Sequence, residues 1–565
     1  MITNPATLID GYKVDHRRQY PDNTEIIFSN LTARSTRRPN TDKVVFVGLQ
    51  YFVKEYLIKQ WDENFFHKLI DEVMEKFRNR INNYLGPNDV GEQHIRDLHA
   101  LGHLPIVILA LPEGSEHPLK VPSLVLWNTD ERFGWFTNYL ETILSTSVWG
   151  MCTSATTAHQ YKKLLTKYAA ETVGNTDFVP WQGHDFSFRG MFGMEAACMS
   201  GAAHLFSFTG TDTIPAIDFL EQYYNADATK ELVGGSVAAT EHSVMCCGGA
   251  DDEIGTFRRL INEVYPKGIV SVVADTWDYW NTITNIAREL KSEIMQRDGK
   301  VVFRPDTGDP VKVVVGDLYE DYSDKCDSIE EAKYYALDNL VDKIGADTPH
   351  GECGESLPTT IFKYRDVFYK IVVEIDWNRY DKQYYYIDSS RVKSCEPVEL
   401  APEQKGSIEC LWRVFGGKVN DKGFKELDPH VGLIYGDSIT LERAQQICEG
   451  LKRKGFASTN IVFGIGSFTY QYATRDTDGY AVKATFAKIN GVDKEIFKSP
   501  KGASFKKSAK GLTAVYKDAN GEFYLKDQAT WDEVNNCEFV KVFEDGNLVK
   551  DWTLAEIRSN LAQYV

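Results

Sequence analysis

The sequence predicts an α/β fold organised as a (β/α) barrel, with a second α+β domain built from both termini and a β-rich insertion. Three observations carry this. Apolar, β-branched runs alternate with amphipathic helical segments through the middle of the chain, as in a parallel sheet buried on both faces. These runs end on charged or small polar residues, which suits a barrel whose active site lies at the C-terminal ends of its strands. Residues 311–430 separate two such ends by far more chain than a βα unit needs, which marks an insertion. An open doubly wound sheet is the competing arrangement, and the spread of polar strand ends over many segments favours closure.

In chain order, HDFSFRG (184–190) and FSFTGTD (206–212) finish on charged or small polar residues. KGIVSVVADTWD (267–278) is a strand ending in Asp275 and Asp278, and VVFRPDTGDP (301–310) is a strand ending in Arg304 and Asp306. HVGLIYGDSITLERAQQICEGLKRKG (430–455) reads as strand, Gly436–Asp437 turn, then a helix with Leu441, Ala444, Ile447 and Leu451 on one face. NIVFGIGS (460–467) is another strand entering a glycine turn. TIFKYRDVFYKIVVEIDWN and QYYYID are aromatic and β-branched, which predicts a small antiparallel insertion, bounded at 315–415. The tail reads as short strands around DANGEF and EDGN turns, then Thr553 and Glu556 as a capping box for a last helix. Residues 1–150 and 476–565 are assigned to the terminal domain, and 151–475 to the barrel.

Composition narrows the function. Hydrophobic (43%) and charged (25%) fractions are those of a globular protein. The longest apolar run, LPIVILALP (104–112), is too short to span a bilayer, and MITNPATLID has no secretory character. Ten cysteines without CxxC or zinc spacing fit reduced thiols in a cytoplasmic protein, with the adjacent Cys246 and Cys247 expected in the core. A net charge of −18 argues against nucleic-acid binding. Against it, KEIFKSPKGASFKKSAK (494–510) holds six lysines and one glutamate, a loop suited to a small polyanion such as pyrophosphate. GADDEIGT (249–256) imitates a ribose-phosphate loop, but glycines replace the preceding strand, so it is read as a surface loop. Phosphate-loop, dinucleotide, HExxH and GxSxG motifs are absent.

DGYKVDHRRQYPDNT (10–24), HDFSFRG, FTGTDT, SVAATEHS, SVVADTWD, RPDTGDP, GDS, TRD and the lysine loop together resemble the nicotinamide phosphoribosyltransferase family, in the family's order. The resemblance runs from Asp10 to about Arg558, the insertion excepted. It implies a type II phosphoribosyltransferase, a pentosyltransferase of NAD salvage that makes nicotinamide mononucleotide and pyrophosphate from nicotinamide and 5-phosphoribosyl 1-pyrophosphate. It also implies an irregular α/β barrel and a homodimer with each active site shared between subunits. Phe186 of one subunit and Tyr12 of the other would sandwich the base, with Arg304 beside the ring and Asp212 accepting from the amide. A nicotinate carboxylate 4 Å from Asp212 would cost about 4 kcal/mol at an effective dielectric of 20.

Asp306 would bind the ribose hydroxyls, while Gly436, Asp437 and Gly466 let backbone approach the sugar phosphate. Arg189, Arg475, Lys483, Arg34, Lys498 and Lys506 are the nominated phosphate and pyrophosphate contacts. Mg²⁺ would travel mainly with pyrophosphate. Alone, His242 in SVAATEHSVM reads as a buried structural histidine; the resemblance makes it the residue phosphorylated by ATP, with Glu241 or Asp278 orienting its ring. Ala274, Ser467 and Ala481 depart from the family's serine, glycine and serine. Nicotinate phosphoribosyltransferase, and a barrel glycosidase using Glu241, Asp275 and Asp278, are the alternatives.

Overall fold

The computed structural model describes residues 4–347, 357–379, 385–497 and 509–565. They pack as two compact units. The first takes the chain to Ser236 with Gly436–Leu441 and Val462–Val565; the second takes Val237–Tyr435 and Glu442–Ile461. The expected boundary at residue 150 falls inside one continuous helix, Glu141–Thr172.

In the first unit, strands from both chain ends share one antiparallel sheet. Its order is Val492–Glu495, Tyr480–Ile489, Thr24–Ala33, Pro122–Asn128, Ile106–Ala110, Val540–Glu544 and Asn547–Leu548. Phe28 sits opposite both Phe486 and Trp127, and these rings with Trp531 form an aromatic cluster with centroids 5.3–6.0 Å apart. The long helix buries Leu144, Val148, Met151, Cys152 and Ala155, a stripe at helical spacing. Its threonines cap carbonyls one turn back, and Thr156 also accepts the Val45 N–H at 2.9 Å, which ties helix to strand. The same unit holds three short parallel strands, in which Gly183–Asp185 lies between Gly210–Thr211 and Ile461–Ile465. FSFTGTD is therefore mostly the turn after a helix, with only Gly210–Thr211 extended.

The second unit is a parallel sheet in the order Val431–Tyr435, Asp298–Arg304, Lys267–Val273, Ala238–Ala239. Val301 pairs with both Val270 and Val431. Helix Leu441–Arg453 buries Ala444, Ile447 and Leu451, the expected face. The insertion is a four-stranded sheet, antiparallel except for its first short strand, covered by helix Ile329–Asp347 over a core of Tyr322, Ala332, Phe362, Ile371 and Val373.

Two local expectations change. GADDEIGT is a turn into a helix: Asp252 caps Glu253–Arg259 by accepting the Gly255 N–H, and Glu253 is buried. Cys246 and Cys247 are exposed, because the short helix His242–Gly248 buries only Met245. The Thr553–Glu556 capping box forms as read, starting helix Leu554–Ala562. Among the described residues no helix is long and apolar enough to cross a membrane.

Candidate active site

The first unit carries an aromatic ring beside a carboxylate. Strand Gly183–Asp185 delivers Phe186, whose N–H donates to Ile465 O at 3.0 Å. Buried Asp185 braces the strand end by accepting from the Ser187 N–H (2.9 Å) and the Thr213 hydroxyl (2.6 Å). One edge of the Phe186 ring lies against Gly436 and Gly464, where an added Cβ would stand 2.6 Å and 2.3 Å from ring carbons. Glycine is required there by close approach, not by backbone angle.

Asp212 is exposed but fixed. One carboxylate oxygen accepts from His184 Nε2 (2.8 Å) and from the Ser236 hydroxyl (2.9 Å). His184 also packs edge-on to Phe186, with centroids 5.0 Å apart, and its Nδ1 fills the space a Cβ on Gly210 would need. Aromatic ring and carboxylate are thus held by one imidazole.

The nominated phosphate contacts of this unit are surface or near-surface groups. Arg189 is exposed, Arg34 Nε donates to Gly479 O at 3.0 Å, and Arg475 pairs with Asp476 at 3.4 Å. Lys483 is half-buried on strand Tyr480–Ile489. Asp437 is exposed in the turn after Gly436, and Gly466 precedes the short helix Ser467–Tyr470. Lys498 and Lys506 lie outside the described residues. Tyr12 is 63% exposed, and its ring neighbours are His16 and Lys13, with Phe186 not among them in the described residues.

The second unit carries a histidine–carboxylate cluster. Strands Lys267–Val273 and Asp298–Arg304 run side by side, and Ala274 N donates to Arg304 O, so their following loops start together. Asp275 Oδ2 accepts from the Asp306 N–H (2.8 Å) and the Thr307 hydroxyl, while its Oδ1 is buried without a partner. His242 Nε2 faces that Oδ1 at 3.9 Å and Asp306 Oδ2 at 4.0 Å. Its Nδ1 lies 3.2 Å from the Thr276 hydroxyl. Arg304 Nε is a buried donor without a partner, a group that a ligand acceptor would satisfy.

This corrects the expected orienting partners. Glu241 takes the Ser243 hydroxyl, and Asp278 caps the next helix by accepting the Asn281 N–H at 3.0 Å. Neither touches the ring; Thr276, Asp275 and Asp306 surround it instead. His242 is also half-exposed, not buried. His184, Asp185, Ser236, Asp275 and Thr276 are site residues that the motif reading did not assign to these roles. Asp275 had a signal, being the first acid after the strand. Among the described residues no three His, Cys, Asp or Glu side chains form a metal cage.

Comparison with known proteins gives the family. A model of the nicotinate phosphoribosyltransferase family matches residues 181–338 and 365–540, and one of the nicotinamide phosphoribosyltransferase N-terminal domain matches 4–108. The unmatched 339–364 falls in the insertion. The nicotinamide phosphoribosyltransferase of Acinetobacter baylyi is 44% identical, over 99% of this chain and 97% of its own. That of Mycoplasma pneumoniae is 30% identical over 87% and 91%, and that of Xanthomonas campestris pv. campestris 27% over 98% and 96%. With its α/β fold and a terminal β-rich sheet, the chain belongs to the nicotinate phosphoribosyltransferase family of pentosyl-transferring enzymes.

Proposed function

We propose that the chain joins nicotinamide to 5-phosphoribosyl 1-pyrophosphate, giving nicotinamide mononucleotide and pyrophosphate, and that ATP drives the reaction through phosphorylated His242. The single observation carrying the choice of base is Asp212, an exposed carboxylate pinned by His184 and Ser236. A carboxylate accepts from an amide NH₂ and repels an acid, so it favours nicotinamide over nicotinate.

The base nitrogen attacks C1 of the ribose as the C1–pyrophosphate bond breaks, and pyrophosphate leaves with the bonding pair. Phe186 stacks the base, and Asp306 takes the ribose hydroxyls. The arginines and lysines hold the Mg²⁺-bearing pyrophosphate of the substrate. For the ATP step, the two carboxylates favour a proton on Nε2 of His242. Nδ1 then keeps its lone pair beside Thr276 and attacks the γ-phosphorus, releasing ADP. A phosphoryl group on Nδ1 also stays clear of the Asp275 and Asp306 charges.

Further support comes from exposed side chains and thiols. Tyr12, Phe192, Ile214 and Tyr472 of the first unit are 63–86% exposed, which fits a homodimer whose partner supplies Tyr12 to the base. The cysteines of the described residues are free thiols, as expected in the cytoplasm.

The test is mononucleotide synthesis from each base, with and without ATP. Nicotinamide is used in preference to nicotinate, and Asp212→Asn narrows that gap at least about tenfold. Equal use of nicotinate by the unaltered protein would reject the base assignment. Product formation without phosphoribosyl pyrophosphate would reject the reaction.

A further inference from the structure

Within the first unit, a cavity of about 640 Å³ opens between the far end of helix Glu141–Thr172, the 206–209 turn and the last helix. No candidate active-site residue lines it. Its wall holds two cations, Lys162 and Arg558. Arg558 is anchored by donating to Leu205 O, Leu232 O and Val233 O. Lys162 makes no hydrogen bond or ion pair among the described residues, and its ammonium lies 5.5 Å over the Phe208 ring. Burial, and then Arg558, push the Lys162 amine down to about 8. An unpaired, partly desolvated cation is costly, and an anion placed beside it offsets that cost.

Other polar groups of the lining also lack partners. The Ser207 hydroxyl and both ring nitrogens of His159 are buried without a hydrogen bond. His159 stays neutral, since burial lowers it to about 3, so it can donate to an anion from one nitrogen. Of the nearby acids, Glu116, 3.8 Å from His159, is bonded to Lys163 and Glu231 neighbours Arg558, while Asp177 is an exposed carboxylate on the lining itself, which Val565 also joins. Phe206, Phe208, Pro180 and Leu561 give the rest of the wall an apolar surface.

We propose that this cavity is a second binding site, for a small organic phosphate of nucleoside-monophosphate size. Two cations match a phosphate dianion, Ser207 and His159 supply neutral hydrogen bonds, and the apolar wall takes the organic body. The site bears on Phe186 and Asp212 through the backbone. Thr209 donates to Pro180 O through its N–H (2.8 Å) and hydroxyl (3.0 Å), and these segments lead into Asp212 and Phe186. The proposal does not depend on which base the enzyme uses.

Pyridoxal 5′-phosphate on the full-length protein is the direct probe. Its aldehyde condenses with the Lys162 amine, releasing water, and borohydride reduces the imine to a stable secondary amine that peptide mass spectrometry locates. Saturable labelling of Lys162 is expected, suppressed about fivefold or more by AMP and not by adenosine. Lys162→Met weakens AMP binding at this site about tenfold in calorimetry, with an unchanged Tm. Ser207→Ala keeps the amine but weakens protection by AMP, which covers a Lys162 variant that fails to fold. Labelling of Lys162 that AMP does not suppress, or absence of labelling there while other lysines react, overturns the proposal.

Discussion

Asp212 in the first unit is held at 2.8 Å and 2.9 Å by two donors, whereas His242 in the second has one partner at 3.2 Å and two carboxylates at 3.9–4.0 Å. The first is a fixed acceptor, and one of its two donors, His184, is itself buried. The second is a half-exposed ring with a single hydrogen-bond partner among the described residues, on Nδ1. Recognition of a flat neutral base rewards groups that do not move. A residue that gains and loses a phosphoryl group cannot be locked by hydrogen bonds on both nitrogens. The loose geometry at His242 is what the proposed phosphoryl transfer requires.

The contrast can be broken most directly at His242. His242→Ala abolishes ATP stimulation and the phosphoenzyme while ATP-independent synthesis remains; acid-labile phosphate persisting on the variant would remove His242 from the role. Next comes the support. Asp275→Asn disturbs both the loop carrying Asp306 and the carboxylate facing the ring, and slows phosphoenzyme formation about 100-fold. Asp278→Ala, which only removes a helix cap, leaves phosphorylation intact and costs about 1 kcal/mol of stability in denaturant titration.

Acid separates the two units in another way. His94 and His117, both of the first unit, are buried and lowered to about 4. As pH falls through the usual value of 6.5, the unfolded chain takes up protons that the folded chain refuses. Stability is therefore complete above pH 6.5 and is lost as pH falls toward 4. Denaturant titrations at pH 7.5 and pH 5 should differ by about 2 kcal/mol per histidine. A further effect is expected from Gly464→Ala, which pushes on the Phe186 ring. It raises KM for the base about tenfold with kcat less affected, and lowers stability by about 1–3 kcal/mol.

Much of this was legible before any coordinates. Strand ends, the helix from Leu441 and the Thr553 capping box follow from local pattern, because periodicity and capping act over a few residues. The partners of His242 did not follow, because they depend on which loops meet. Glu241 is adjacent in sequence, but its carboxylate closes onto Ser243, while Asp275 reaches the ring from a neighbouring strand. His184 was hidden for the same reason: its contact with Asp212 joins two strands that pair only in the folded sheet. The boundary at 150 missed because nothing in the long helix breaks there, Gly150 included.

The two glycines against Phe186 carry a consequence for drug resistance. A chain challenged with an inhibitor that mimics the base escapes by reshaping the contact surface. On one edge of the Phe186 ring both neighbours are already the smallest residue, and any replacement collides with the ring proposed to stack the base. Escape variants are thus expected to gather on the open side, at Ser236, where the side chain can change without evicting the ring or removing the Asp212 carboxylate.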